Sequence, residues 1–379
     1  MDLVKIRNNF NMAVYKELIK PICFSFDPEK VHNTFIGFGK FLGSNEFTKG
    51  IVNISCNYQN PMLEQKILGI KFRNPVGLSA GFDKNAEIIS INEDIGFGFV
   101  EVGSITANPS KGNTGKRLER FINYDALWVN LGLNNKGAKE ISSNLRHRKF
   151  SIPVGISVAK TNCMETTDPK VGLEDYLTTV RQFRDIADYI DLNISCPNAF
   201  GGLQFSVPKL YESLLIETDK MKLNKPIFIK LSPDLTRKNI DEIIRISRKH
   251  NVSGFICSNL TKKHNLKSGG LSGKAVEGKA NQLLKYVYRK TNGKFILIGV
   301  GGIFSAEDAY NKIKSGANLV QLITGMVYRG PNLIGEINHD LVALLEKDGY
   351  KSIGEAVGSG IKGKRFTYRK EPETTVVRR

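Results

Sequence analysis

Tyr189-Ile190-Asp191-Leu192-Asn193-Ile194-Ser195-Cys196-Pro197-Asn198 reads as a short apolar strand, carried by Ile190, Leu192 and Ile194, that ends in a thiol flanked by amides. A cysteine is ordinarily a small buried hydrophobe, but at the C-terminal end of a strand it can take up a proton or act as a nucleophile. Seven further β-type runs surround this one: Val76–Ala80, Phe99–Gly103, Val154–Val158, Ile227–Leu231, Gly254–Ser258, Phe295–Val300 and Leu319–Ile323. Helical spacing fills Leu173–Ile186, Asn239–Ile246 and Ala306–Ile313 between them. Buried strands alternating with helices predict parallel βα units, and eight of them predict an α/β (β/α)8 TIM barrel. An open doubly wound sheet would carry a GxGxxG turn after its first strand, and none is present.

A barrel gathers function on the loops after its strands, and the unusual residues of this chain fall there. They are Ser79–Lys84, the Cys196 segment, Asn259 with Gly269–Gly273, Gly299–Ile303, and Thr324-Gly325, with Lys230 inside the fifth strand. Glycines after the last two strands let backbone N–H groups crowd an anion, so a phosphorylated ligand is expected; taken singly they would only make tight turns. Lys230, rising from an apolar strand, calls for an electron-rich neighbour, and a flavin ring would supply one.

The chain has 379 residues and a formal charge of +18. That charge suits an anionic ligand or lipid surface, although segments such as Arg146–Lys149 and the tail from Lys362 can equally form a solvated basic face. Its five cysteines lack CxxC pairing or metal-like spacing to histidine, so neither a disulfide framework nor a metal site is expected. No apolar run reaches the roughly 18 residues of a membrane span, and no signal-peptide core is evident.

At the N-terminus, Asp27-Pro28 is an N-cap and first-turn pair that starts a helix with Phe35, Phe38 and Leu42 along one side. Met12, Tyr15, Leu18 and Ile19 suggest another helix before it. Two such amphipathic helices can lie in a membrane interface, or pack on the barrel as ordinary core.

Taken together these residues resemble the dihydroorotate dehydrogenase family, in its class 2, quinone-dependent and membrane-associated branch. The carriers are Asp27-Pro28-Glu29 with His32, Ala80–Lys84, Arg120, Gly132-Leu133-Asn134-Asn135, Asn193–Asn198, Gly269–Gly273 and Gly299–Ile303, across roughly residues 12 to 345. The resemblance implies an FMN enzyme of pyrimidine (UMP) biosynthesis that oxidises dihydroorotate to orotate and passes electrons to quinone. It implies Cys196 as base, with Lys84 near flavin and substrate, and Asn193, Asn198 and Asn259 on the substrate, with Asn130 a further candidate. FMN contacts would come from Ala80, Gly81, Lys84, Ser104, Ser157, Asn193, Lys230, Ser258, Gly273, Gly302, Ile323 and Thr324. His32, Phe35, Phe38 and Arg120 would line a quinone tunnel.

The expected divisions are an N-terminal helical extension at 1–60, the barrel at 61–349, and a basic, flexible tail at 350–379. Peripheral attachment to the cytoplasmic side of an anionic membrane is expected, with no nucleic acid and no obligatory protein partner. Some positions depart from the branch: Cys196 stands where class 2 carries serine, and Val129, Leu260 and Ser157 replace Asn, Thr and Asn. Asn130 is not an automatic substitute for position 129, because neighbouring side chains of an extended chain face opposite ways. The alternatives are a class 1-like dehydrogenase with a soluble acceptor, which Cys196 suggests, and a flavin-dependent reductase of tRNA uridine or another dihydro-heterocycle, which also carries a Cys-Pro pair.

Overall fold

The computed structural model describes residues 2–196, 198–361 and 374–377. Eight parallel strands close a barrel in sequence order: β1 Val76–Leu78, β2 Phe99–Ile105, β3 Val154–Val158, β4 Tyr189–Leu192, β5 Ile227–Leu231, β6 Val252–Cys257, β7 Ile296–Val300 and β8 Leu319–Leu322. Val320 pairs with Val76 to complete the circle. Each predicted β-run overlaps one of these strands, with β2 running two residues past its predicted end and β6 starting two residues before its predicted start, and helices Pro169–Phe183, Arg237–Ser247 and Ala306–Lys314 overlap the three helical stretches read from the sequence.

Inside the barrel, side chains two residues apart along a strand stack in layers. The lowest layer is aromatic: Phe99, Tyr189 and Phe228 are buried together with Ile256, Ile298 and Leu319. Gly77 makes room for it, since a Cβ there would sit 2.3 Å from the Phe99 ring. A hairpin of Gln65–Ile67 and Ile70–Phe72 closes the floor, with Phe72 edge-on to Phe99. The next layer is polar, formed by Glu101, Asp191, Lys230 and Gln321. Over the opposite end lies a small antiparallel sheet of Leu118–Phe121, Ala126–Val129 and Gly270–Leu271, which periodicity did not reveal because its strands are only two to four residues long.

The N-terminal extension contains more than two helices. α1 (Leu3–Val14) runs through a π-helical turn into α2 (Lys20–Ser25), followed by α3 (Pro28–Leu42) and α4 (Glu46–Cys56). Asp27 caps α3 by accepting from the N–H groups of Glu29 and Lys30. Attachment to the barrel is specific, since Tyr15 donates to the Val327 carbonyl at 2.7 Å, while within the extension Arg7 ties α1 to α4 by donating to the carbonyls of Ile54 and Asn57. Many of the apolar residues on these helices remain uncovered, among them Leu3, Phe10, Ile22, Phe41, Phe47 and Ile54. No helix among the described residues is long and apolar enough to cross a membrane.

Much of the expected flexible tail is held wherever it is described. Ile353–Ala356 is a short helix with Ile353 buried. Thr374 N–H donates to the Lys263 carbonyl, and Val376 exchanges two hydrogen bonds with the Asn265 side chain. Val376 is buried against Phe121, Trp128 and Leu271 of the covering sheet. Residues 362–373, part of the tail expectation, lie outside the described residues, as does Pro197.

Candidate functional site

A single cavity of about 420 Å³ opens at the C-terminal ends of the strands and continues between the N-terminal helices. Its barrel end is bordered by Lys84, Ser104, Asn193, Cys196, Lys230 and Asn259; its helix end by Tyr15, Phe24, His32, Phe35, Phe38 and Arg120. The residues expected at the substrate, the flavin and the quinone therefore border one space, with two exceptions.

Ser157 is fully buried and stands behind Ser104, 2.9 Å from its hydroxyl and 2.8 Å from Asp191 Oδ2. Asn130 is absent from the cavity lining; its Oδ1 accepts from Asn113 Nδ2 at 2.9 Å, and the extended backbone turns Val129 inward instead. The amide lost at position 129 is thus not replaced by its neighbour. The backbone of Val129 still contributes, because its carbonyl accepts from Asn198 Nδ2 at 2.9 Å.

The polar side of the cavity is built before any ligand arrives. Asn193 Nδ2 donates to Ser104 Oγ at 2.8 Å, while its Oδ1 accepts from the N–H and hydroxyl of Ser195. Asn259 Nδ2 donates to Ser195 Oγ at 3.0 Å. Asn198 Oδ1 is buried with no partner among the described residues, an acceptor that a ligand N–H would satisfy. Cys196 leaves the β4 strand end beside these amides. Burial pushes its thiol up from the ordinary value, opposed by the Asn198 backbone and by the charges of Lys262, Lys160 and Lys230.

Lys84 joins the two ends of the cavity. Its Nζ lies 3.2 Å from His32 Nε2, and burial lowers the ammonium to about 8 despite nearby Glu29 and Asp83. Burial first, and the Lys84 charge second, push His32 down to about 3, so the imidazole is neutral and can accept from Lys84. Glu29, on α3, pairs with Arg117 beside the covering sheet. Arg120 donates to the Phe26 carbonyl and stacks on the Phe24 ring at 4.6 Å.

Lys230 does not await an anion, as the apolar context of its strand suggested. Its Nζ donates to Glu101 Oε1 at 3.1 Å, and Gln321 Nε2 donates to Glu101 Oε2 at 3.0 Å. The sequence reading passed over Glu101 and Asp191, although each is a lone acid at an inward position of an apolar strand. On the far side, Gly302 holds φ +80°, and a Cβ there would lie 2.4 Å from Glu277, so the β7 loop reaches the cavity edge as backbone.

Comparisons with known proteins agree with this arrangement. The family profile described as dihydroorotate dehydrogenase matches residues 62–345. A protein of Sulfurovum sp. named dihydroorotate dehydrogenase (quinone) is 36% identical over 90% of this chain and 98% of its own length. A protein of the same name from Christiangramia forsetii is 36% identical over 87% of this chain and 99% of its own. Among solved structures, ligand-free DHODH from Eimeria tenella superposes with a TM-score of 0.80 at 26% identity, covering 89% of this chain and 100% of that one. With a family match across most of the barrel and near-full-length relatives above 30% identity, the chain belongs to the dihydroorotate dehydrogenase family.

Proposed function

We propose that this protein is an FMN-dependent dihydroorotate dehydrogenase that oxidises (S)-dihydroorotate to orotate and delivers the electrons to a membrane quinone. The observation that carries the reading is the single cavity joining Cys196 and the asparagine cluster to the aromatic wall of the N-terminal helices. The residues present fit the cofactor. The cavity volume lies within the range of ligand sites, the β7 loop offers backbone at Gly302, and a buried ammonium borders the floor at Lys230. All of the residues expected against FMN border the cavity except Ser157. A bound FMN would supply a hydride acceptor for dihydroorotate C6 and a two-electron donor for the quinone.

The chain supplies the rest. Cys196, as thiolate, takes the proton from C5 while the asparagines orient the ring. Asn198 Oδ1 is free to accept a ring N–H, and Asn259 and Asn193 hold each other through Ser195. Lys84, positively charged below about pH 8, offsets the substrate carboxylate. Val129, Leu131 and Leu260 exclude water from the reacting carbons. A thiol is more acidic than the serine alcohol usual in this branch, so the base works at lower pH than a serine would allow.

Quinone reaches the same cavity between α2, α3 and α4, whose exposed Ile22, Phe41 and Phe47 would sit in the membrane interface. A positive net charge favours an anionic leaflet, which supports peripheral attachment at the cytoplasmic face. Anaerobic addition of dihydroorotate to the purified flavoprotein tests the reading. Bleaching of the flavin absorbance is expected, with recovery on adding a quinone; a persistent yellow colour at high dihydroorotate would overturn the assigned substrate.

A further inference from the structure

The polar layer beneath the cavity contains two carboxyl groups and one ammonium, all inaccessible to water. Glu101 and Asp191 are both 0% exposed and Lys230 is 3% exposed. Three charges of which two are negative leave an excess negative charge in the barrel interior, which is costly unless a proton neutralises it. The uneven supply of donors to the two carboxyl groups favours one of them as the holder of that proton. Glu101 receives donors from Lys230 Nζ at 3.1 Å and Gln321 Nε2 at 3.0 Å, with the Tyr189 hydroxyl at 3.3 Å. Asp191 has Ser157 Oγ, 2.8 Å from Oδ2, as its side-chain partner and the Lys230 backbone N–H beside its carboxyl group, while its Oδ1 makes no close hydrogen bond among the described residues. A bare carboxylate oxygen in a dry core is far more expensive than the carbonyl oxygen of a neutral acid.

Burial foremost, then the Glu101 charge, raise Asp191 well above the carboxylate range, with Lys230 and Ser157 opposing. The groups facing it are Glu101 from β2, Ser157 from β3, Lys230 from β5, Tyr189 on its own strand, and Tyr176 from the Pro169–Phe183 helix. Both tyrosines are pushed upward by burial and remain neutral hydroxyls.

The location of this proton matters because a chain of two hydroxyls leads from Asp191 to the cavity. Ser157 Oγ lies 2.9 Å from Ser104 Oγ, and Ser104, which lines the cavity, also accepts from Asn193 Nδ2 at 2.8 Å. A serine hydroxyl has one hydrogen and two acceptor positions. With Asp191 protonated, its O–H donates to Ser157, Ser157 donates to Ser104, and both acceptor positions of Ser104 are filled. The Ser104 hydrogen must then point into the cavity. With Asp191 ionised the chain reverses: Ser157 donates to Asp191, Ser104 donates to Ser157, and the cavity faces a lone pair.

Resting on the flavin reading above, we infer that Asp191 is a positioning residue, a neutral carboxylic acid that polarises the Ser157–Ser104 chain so that Ser104 presents an O–H donor to the bound flavin. Such a donor favours the electron-rich reduced flavin over the oxidised form. Ser157 in this chain is then a relay between a buried acid and the site, in place of a residue that touches the cofactor itself.

The test uses the flavin-loaded enzyme and two readouts that do not depend on turnover. Infrared spectroscopy at neutral pH should show a carboxylic-acid C=O band that disappears in Asp191→Asn, with Asp191→Leu as a second band-removing variant should the first fold poorly. The flavin midpoint potential, measured by dye equilibration, should be unchanged in Asp191→Asn, because an amide can still donate to Ser157, and should fall in Ser104→Ala. If Asp191 is ionised, no acid band is lost in either variant, and Asp191→Asn raises the potential by deleting a buried negative charge; either result overturns the inference. A protein that fails to bind flavin would refute the functional reading instead, and leaves the apo-protein's acid band to decide this one.

Discussion

Lys84→Met should make the ligand-free protein more stable while depriving it of substrate. The Lys84 ammonium is held at about 8, against 10.5 in an unfolded chain, chiefly by burial. That depression corresponds to a penalty of roughly 3 kcal/mol at neutral pH. Part of it is offset by the contact with His32 at 3.2 Å, which the variant loses, so the net gain is about 1–3 kcal/mol. For a chain of this size the melting temperature should rise by roughly 1–4 °C. The sign with pH follows from the depressed value: between about 8 and 10.5 the unfolded chain holds a proton that the folded one has released, so wild-type stability gains with rising pH across that window. The variant lacks this gain, and the two melting curves should converge toward pH 10.5. Differential scanning fluorimetry of both apo-proteins from pH 7 to 10.5 reads the difference, and dihydroorotate should stabilise only the wild type. A variant that melts below wild type at pH 7, or a difference that does not shrink with pH, would refute the reasoning.

Cys196→Ala should lower kcat by about 10²–10⁴ with flavin binding retained, and the acid limb of Cys196→Ser should lie above that of wild type; the reverse order in pH–rate profiles would exclude the thiol as base. Val129→Asn places an amide on the cavity wall, so KM for dihydroorotate should fall roughly tenfold, and a rise would mean the apolar wall is selected for a different substrate. Glu29→Gln removes the ion pair with Arg117 that ties α3 to the covering sheet and also the charge that holds the Lys84 ammonium up; steady-state kinetics should show a higher KM for quinone, together with a KM for dihydroorotate that begins to rise at a lower pH than in wild type. Val376→Asp should release the tail from the covering sheet, and limited trypsin digestion at Lys262–Lys267 should quicken severalfold with the circular dichroism unchanged.

The barrel was legible because its strands are buried on both faces and punctuated by glycine and asparagine, giving eight apolar runs in one chain. Cys196, Lys84 and Asn259 were legible for a related reason, since polar residues at strand ends have nothing to do in a core. What the sequence concealed depended on distant partners. Lys230 seemed to need a ligand because Glu101, 129 positions away, is invisible to local reading. Asn130 seemed available because backbone direction, and not residue type, decides which of two neighbours faces the cavity. The tail seemed free because its glycines and cations outweigh Val376, a single apolar side chain that finds a pocket made by residues 100 or more positions earlier.

Tyr15 is seated by the Val327 carbonyl, a contact spanning 312 positions, and Cys56 donates to Asn332 across 276. During synthesis the first helices therefore leave the ribosome long before the surface that receives them has been made. At roughly 5–20 residues per second the delay is about 15–60 s. Through that interval the aromatic face of α1 to α3 has no protein to cover it, so the feature that prepares these helices for a lipid surface also makes them the segment most in need of a chaperone or a membrane while the chain is still growing.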